Sequence, residues 1–284
     1  MKPTTNNLSV VLERFTPIFV SGSPRSGTTI CHALLCTAEN VNDYVPESSF
    51  LSGILNNFIV GLNNDFHNVD FFGSKQAFID YGIEQIASML MYSWLRFDTP
   101  EFLALKDPLM FTHMNWIHQA FPNVRYVFTL RDPIETISSR VTVERRMGKY
   151  INNELVSNIS AELSGYYNFI SHVDQNCKNR LTVIHYDEIM SGSVKERFKE
   201  ISPSIQVDQN RVWISKFMAK VKDSPWTTES YGKRILDVKR APIVLDEAQA
   251  EIVTNICGES YVRACAMGRY MPTQSNFEFK RVGT

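Results

Sequence analysis

Residues 19–29 read Phe19-Val20-Ser21-Gly22-Ser23-Pro24-Arg25-Ser26-Gly27-Thr28-Thr29, and the reading of this stretch decides the fold. Residues 17–21 form a short β-rich apolar run. Ile30, Ala33, Leu34 and Thr37 then recur at helical spacing, which predicts strand, tight turn and helix. A loop that holds nucleoside triphosphates is written G-x-x-x-x-G-K-[ST], its lysine reaching the β- and γ-phosphates and its last hydroxyl holding Mg²⁺. Gly22 and Gly27 keep the glycine spacing, but Thr28 stands in the lysine's place and a basic side chain, Arg25, appears inside the loop. The expected ligand group is therefore anionic without being a metal-bridged triphosphate. Backbone N–H groups at the helix start, with the Thr28 and Thr29 hydroxyls beside them, make an anion site. The alternative is an ordinary Gly-Ser turn, against which the flanking strand and helix argue.

At 284 residues the chain is near the upper size for one domain, and a single α/β domain over residues 1–284 is expected. With 44% hydrophobic and 21% charged residues, neither a disordered nor a membrane class is indicated. No apolar run reaches the length of a bilayer span and residues 1–7 lack a signal-peptide core, so a cytoplasmic protein with no membrane span is expected. Five cysteines without CxxC pairing argue against disulfides or zinc, and the six histidines lack metal-ligand spacing, so no metal is expected. The 29 basic and 30 acidic residues leave a net charge of −1, which favours no nucleic-acid partner and makes any anion site local.

Beyond the loop and its helix comes a short polar passage at 41–47. Leu51, Ile54, Leu55, Phe58, Ile59 and Leu62 then share one helical face. Residues 63–73 read as an exposed loop with apolar content, and 75–96 as a long amphipathic helix. A buried strand at 102–105 ends in Lys106-Asp107-Pro108, a helix covers 112–121, and 124–130 is the strongest strand in the chain. Asp132, Pro133 and Glu135 then fit the N-cap, first and third positions of a helix, a capping-box arrangement. A further helix is expected at 154–176 and a strand at 181–185, with helices and loops from 191 onward. This alternation predicts a parallel sheet with helices on both faces, whose ligands lie beyond the carboxyl ends of the strands. Arg25, Lys106, Arg131 and Tyr186 all fall at such ends.

Arg131 closes the strongest strand and Ser139 follows eight residues on, about 12 Å along a helix. The two share one phosphate only if the arginine folds along that helix. A guanidinium and a hydroxyl would then form a metal-free phosphate clamp. The alternative for Arg131 is a salt bridge to Asp132 or Glu135.

Taken together, Pro24-Arg25-Ser26-Gly27-Thr28-Thr29 and Arg131…Ser139 resemble, in residue type, spacing and order, the sulfotransferases that use 3′-phosphoadenosine 5′-phosphosulfate (PAPS). Lys106-Asp107-Pro108 and Phe121-Pro122-Asn123 are similar to the branch that includes tyrosylprotein sulfotransferases and many bacterial relatives, and the likeness runs over about residues 19–189. The resemblance implies a three-layer sandwich around a central parallel sheet, P-loop NTPase-like, with a helical C-terminal part. It implies sulfuryl transfer from PAPS to a small-molecule or carrier-bound hydroxyl acceptor, leaving a sulfate ester and 3′-phosphoadenosine 5′-phosphate (PAP). By the same likeness Arg25, Ser26, Gly27, Thr28 and Thr29 hold the 5′-phosphosulfate, Arg131 and Ser139 the 3′-phosphate, and Tyr186 contacts the adenine. Arg25 and Lys106 stabilise the transition state. Pro108 occupies the position of the cytosolic branch's catalytic histidine, so the base must come from elsewhere. The tyrosylprotein-like branch has a catalytic glutamate some way after the loop, which implies Glu47 as the general base, with His113 and Asp107 in reserve. For Glu47 the plainer reading is an acid at a helix start. The family's distal loop has only weak matches, at Ser224, Lys233 and Arg234. Arg140, Arg145, Arg146 and Lys149 read as a solvated face in preference to an acidic-acceptor site. The other readings of the whole chain are a divergent P-loop kinase or NTPase, which leaves Thr28 unexplained, and a non-catalytic nucleotide-binding protein on the same fold. The apolar content of 50–72 fits either a pocket for an aromatic or lipid-like alcohol or core packing and a lid.

Overall fold

The computed structural model describes residues 13–210, 237 and 239–271. Strands β1 (Thr16–Gly22), β2 (Phe102–Lys106), β3 (Arg125–Leu130) and β4 (Leu181–His185) form a parallel sheet in the order β2-β1-β3-β4. The register pairs Val20 with Lys106, Gly22 with Thr129 and Leu130 with His185, so the four carboxyl ends lie along one edge. β1 is flanked by β2 and β3, whose connections leave in opposite directions, and its end is the switch point where ligands of such sheets bind.

Period-two alternation sends neighbouring residues of each strand into different cores. Phe19, Leu103, Leu105, Tyr126 and Phe128 enter one, shared with α4 (Lys75–Arg96), α7 (Asn153–Ser171) and the C-terminal α11 (Glu247–Met267). Ile18, Val20, Phe102, Ala104 and Val127 enter the other, covered by α1 (Thr28–Leu35) and α10 (Lys195–Ile201). Each of the Val, Leu, Ile and Phe side chains among these, fully removed from water, contributes about 1.5–3 kcal/mol of transfer free energy. The result is the three-layer α/β architecture expected from the sequence.

The 75–96 helix forms at the predicted bounds, opened by the Ser74 side chain, which accepts from the Ala77 N–H. Three expectations are corrected. The passage at 63–73 is not a loop but contains α3 (Asp65–Phe72), held because Phe72 packs on Phe78 and Tyr81 of α4. The helix expected at 154–176 ends at Ser171, and Asp174 caps a separate turn, α8 (Gln175–Lys178), through the Asn176 N–H. The helix expected at 112–121 begins as a 3₁₀ turn, Met110–His113, before α5 (Met114–Ala120).

The passage at 41–47 runs along the outer edge of β2. Val41 bridges Phe102, and the Asn42 side chain both accepts from the Ala104 N–H and donates to its carbonyl. Ser48 then caps the Lys106 carbonyl with its backbone N–H (2.8 Å) and its hydroxyl (3.0 Å) before α2 (Ser49–Leu62) begins. That double tie fixes residue 47 at the end of β2.

Candidate active site

The loop after β1 needs backbone that few residues adopt. Gly27 has φ 101°, and a Cβ there would come within 2.6 Å of the Tyr186 ring, so glycine is what allows the ring to rest on the loop. Arg25 adopts φ 74°, a left-handed conformation that costs a side-chain-bearing residue about 1–3 kcal/mol and gathers at functional sites. The loop is anchored from below by the Ser26 hydroxyl, fully buried and 2.7 Å from that of Thr129 on β3. Ser26 thus fastens the loop to the sheet. Thr28 is buried at the first turn of α1, and Thr29 faces β2.

Lys106 ends β2 with its side chain 2% exposed. Its ammonium donates to Glu47 Oε1 at 2.7 Å and to the Thr29 hydroxyl at 3.2 Å. Burial pulls its pKa below the ordinary lysine value; the Glu47 carboxylate pushes back up, and Arg25 nearby adds to the lowering. Glu47 itself is half exposed, open to a second molecule. It precedes the N-cap of α2, so its carboxylate serves Lys106 and not the helix. The two reserve bases are placed otherwise. Asp107 Oδ1 accepts from the Leu109 N–H at 2.8 Å, and His113 is buried in the 3₁₀ turn, its pKa lowered by that burial. Ser21 secures the whole corner by donating to the Pro108 carbonyl and accepting from the Phe111 N–H.

On the other side, α6 (Pro133–Arg146) starts at the predicted residues, with the Asp132 carboxylate accepting from the Glu135 N–H, a cap of about 1 kcal/mol. The expected capping box is only half formed, because the Glu135 carboxylate turns to Arg131 and Arg240. The end of β3 is pinned by two buried tyrosines of α7, Tyr166 donating to the Thr129 carbonyl and Tyr167 to that of Arg131. Arg131 lies 4.2 Å over the Tyr186 ring, donates to the Arg25 carbonyl at 3.3 Å and pairs with Glu135 at 2.9 Å. The salt bridge expected as its alternative is therefore present, alongside its contact with the loop. It is Arg25, not Arg131, that reaches Ser139, donating from Nε at 3.0 Å. The loop, α6, β2 and the start of α9 (Tyr186–Ser191) thus converge through Arg25, Thr29, Lys106, Glu47, Arg131, Ser139 and Tyr186.

The sequence reading missed Arg240 and Asp187, and gave Glu135 only as a helix-start acid and a salt-bridge partner of Arg131. Arg240 lies 5.8 Å from the Tyr186 ring centre, pairs with Glu135 at 2.6 Å and also pairs with Asp187. Ser224, Lys233 and Arg234 lie outside the described residues. In the basic cluster, Arg140 and Lys149 both pair with buried Glu144, which ties up two of its four charges in structure.

His185, just before Tyr186, accepts from the Asp187 N–H on Nδ1, which leaves Nε2 to donate to the Tyr261 hydroxyl at 2.8 Å. Burial lowers its pKa to about 4, and that of His32, under α1, to about 3. Between about pH 6.5 and 4 the unfolded chain takes up protons that these folded imidazoles refuse. Stability is therefore expected to fall with pH through that window, by about 1.4 kcal/mol per pH unit for each histidine. Urea midpoints from pH 7 to 4.5 measure this, and a flat profile refutes it.

A parallel sheet with a glycine-bounded anion loop at the end of an inner strand and cations on the neighbouring strand ends defines an α/β protein built to hold phosphate or sulfate groups. The chain belongs to the sulfotransferase family, whose model matches residues 17–197. No curated protein matches it. Among solved structures, a sulfotransferase from Alicyclobacillus acidocaldarius superposes with a TM-score of 0.53 at 10% identity, covering 90% of this chain and 97% of that one, a likeness of fold. Two mycobacterial sulfotransferases align more loosely. STF1 from Mycobacterium tuberculosis H37Rv gives a TM-score of 0.44 at 14% identity, over 87% of this chain and 78% of that one. STF9 from Mycobacterium avium gives 0.42 at 15%, over 88% and 78%. Among the described residues no group of three or more His, Cys, Asp or Glu side chains is arranged for a metal ion, and no helix is long and apolar enough to cross a membrane.

Proposed function

We propose that this chain transfers a sulfuryl group from PAPS to the hydroxyl of a small-molecule or carrier-bound acceptor. The observation that carries the reading is the Lys106 ammonium, held between the Glu47 carboxylate at 2.7 Å and the Thr29 hydroxyl of the loop at 3.2 Å. One cation touches both the group able to take a proton and the loop suited to the donor's anionic end. In the transfer the acceptor oxygen bonds to sulfur while the bond from sulfur to the 5′-phosphate oxygen breaks. The hydroxyl proton passes to Glu47, and a sulfate ester and PAP result. An in-line displacement of this kind is accelerated by positioning and by cations aimed at the charge developing on the leaving oxygen, as in phosphoryl transfer. Arg25 and Lys106 take that role. Arg25, Thr28, Thr29 and the loop's N–H groups hold the 5′-phosphosulfate, with Ser26 and Gly27 shaping the loop. Arg131 and Ser139 serve the 3′-phosphate and Tyr186 the adenine. The Ser139 hydroxyl accepts from Arg25 Nε, which supports a shared role for the two side chains.

The test is a pair of titrations. PAP without metal is expected to bind at least tenfold more tightly than ATP with Mg²⁺, read by calorimetry. The reverse order would make the chain a nucleoside-triphosphate protein and refute the proposal. Binding of PAP with no sulfated product from any hydroxyl acceptor, screened with labelled PAPS, would leave a nucleotide-binding protein on this fold.

A further inference from the structure

The charges beyond β3 and β4 form a closed group of two guanidiniums and two carboxylates. Glu135 accepts from Arg131 Nε on one oxygen, at 2.9 Å, and from Arg240 on the other, at 2.6 Å. Its side chain is 11% exposed and that of Arg131 7%, so water screens this pair little, whereas Arg240 is 42% exposed and its pair is screened more. Asp187 also pairs with Arg240, but the Tyr270 hydroxyl donates to it as well, at 2.5 Å. Asp187 is thus fixed from a second side, whereas both oxygens of Glu135 are spent on the two arginines. Both guanidiniums lie near the Tyr186 ring, at 4.2 and 5.8 Å. An anion reaching Arg131 and Arg240 beside that ring meets a carboxylate already on their N–H groups. Like charges at this spacing repel, and the N–H groups facing Glu135 cannot serve both.

We propose that Glu135 is an internal competitor for the nucleotide's phosphate on Arg131 and Arg240. It engages N–H groups of both guanidiniums and thereby limits their grip on the ligand, so that the product nucleotide leaves. The inference rests on the reading of Arg131 as a phosphate residue of the nucleotide site. Glu135 sits on the first turn of α6, three residues after the Asp132 cap, so the helix fixes its backbone. A competitor of this kind acts on affinity and release, since it touches no reacting atom.

The experiment compares PAP and adenosine 5′-monophosphate binding to the wild-type chain, Glu135→Gln and Glu135→Ala, by calorimetry and stopped flow. Both variants are expected to bind PAP about tenfold more tightly, chiefly through slower dissociation, with adenosine 5′-monophosphate within about twofold of wild type. PAP affinity equal to or weaker than wild type in a variant that melts like wild type overturns the inference and makes Glu135 a brace for the arginines. Equal tightening of both ligands overturns it too, since the effect would then be general charge. A wild-type chain that binds neither nucleotide refutes the functional reading itself. Glu135→Ala, which lacks any group able to replace the carboxylate, decides the matter where the amide of Gln takes over its hydrogen bonds or fails to fold.

Discussion

Glu47→Gln is expected to lower the rate constant for sulfuryl transfer by about 10²–10⁴-fold while leaving PAP affinity within about threefold of wild type. The range is what a positioned general base contributes. Glutamine keeps the length of the side chain and an oxygen that accepts from Lys106, now at 2.7 Å, but it cannot take a proton at neutral pH. The half-exposed carboxylate is the acidic group of the site that a hydroxyl acceptor can approach while Lys106 is still paired to it. Single-turnover measurement with saturating PAPS isolates the chemical step from product release. A rate constant within threefold of wild type would remove Glu47 from the mechanism and turn attention to Asp107. That carboxylate is committed by one oxygen to the Leu109 N–H, and its other oxygen is the next candidate.

The sequence made the edge of the sheet readable because its signals are local. Strand, glycine spacing and helix start follow one another within residues 16–35, and Asp132-Pro133 marks the start of α6 in two residues. The long helix α4 repeats its apolar face over six turns, which periodicity detects well. Local signals failed where the chain is held from a distance. α3 is short and rich in Asn, Asp and His, and it is helical because Phe72 meets Phe78 and Tyr81 across a turn. The pattern ran through the break after Ser171 because Ile170 before it and Cys177 beyond it are both buried, as a continuous helix would bury them.

The site divided along the same line. Glu47, Lys106 and Arg131 were legible as strand-end or loop residues with a matching motif, yet their partners were not. Spacing suggested that Arg131 and Ser139 act together, but the left-handed Arg25 turns its own guanidinium to Ser139 and leaves Arg131 to Tyr186 and Glu135. Such a choice depends on a backbone angle that the residue letter does not encode. Arg240 stands in non-helical chain, and its partners Glu135 and Asp187 precede it by 105 and 53 residues, so no window of the sequence contains the cluster.

Lys106→Met is expected to reduce the transfer rate constant by about 10²–10³-fold, the usual loss when one donor to developing negative charge is removed, and to leave thermal stability unchanged or raised. The two halves of that expectation have one cause. The ammonium is buried, and its lowered pKa records that the fold holds the charged form at a cost. Methionine fills a similar volume without a charge to desolvate. Apolar replacement of a buried ion pair is often neutral or stabilising, and removing one partner alone costs stability chiefly when the charge left behind is buried. The partner left behind is no burden, because Glu47 is half exposed and water can solvate it. A cation kept where it weakens the fold is best explained by what it does in the reaction, so activity and stability should move in opposite directions. Loss of melting temperature with an intact rate would make Lys106 a structural pin for Glu47 and Thr29. The double variant Glu47→Gln/Lys106→Met carries the argument one step further. If the two side chains act as one proton-taking and charge-stabilising unit, the double loss falls well short of the product of the single losses, whereas independent roles would multiply.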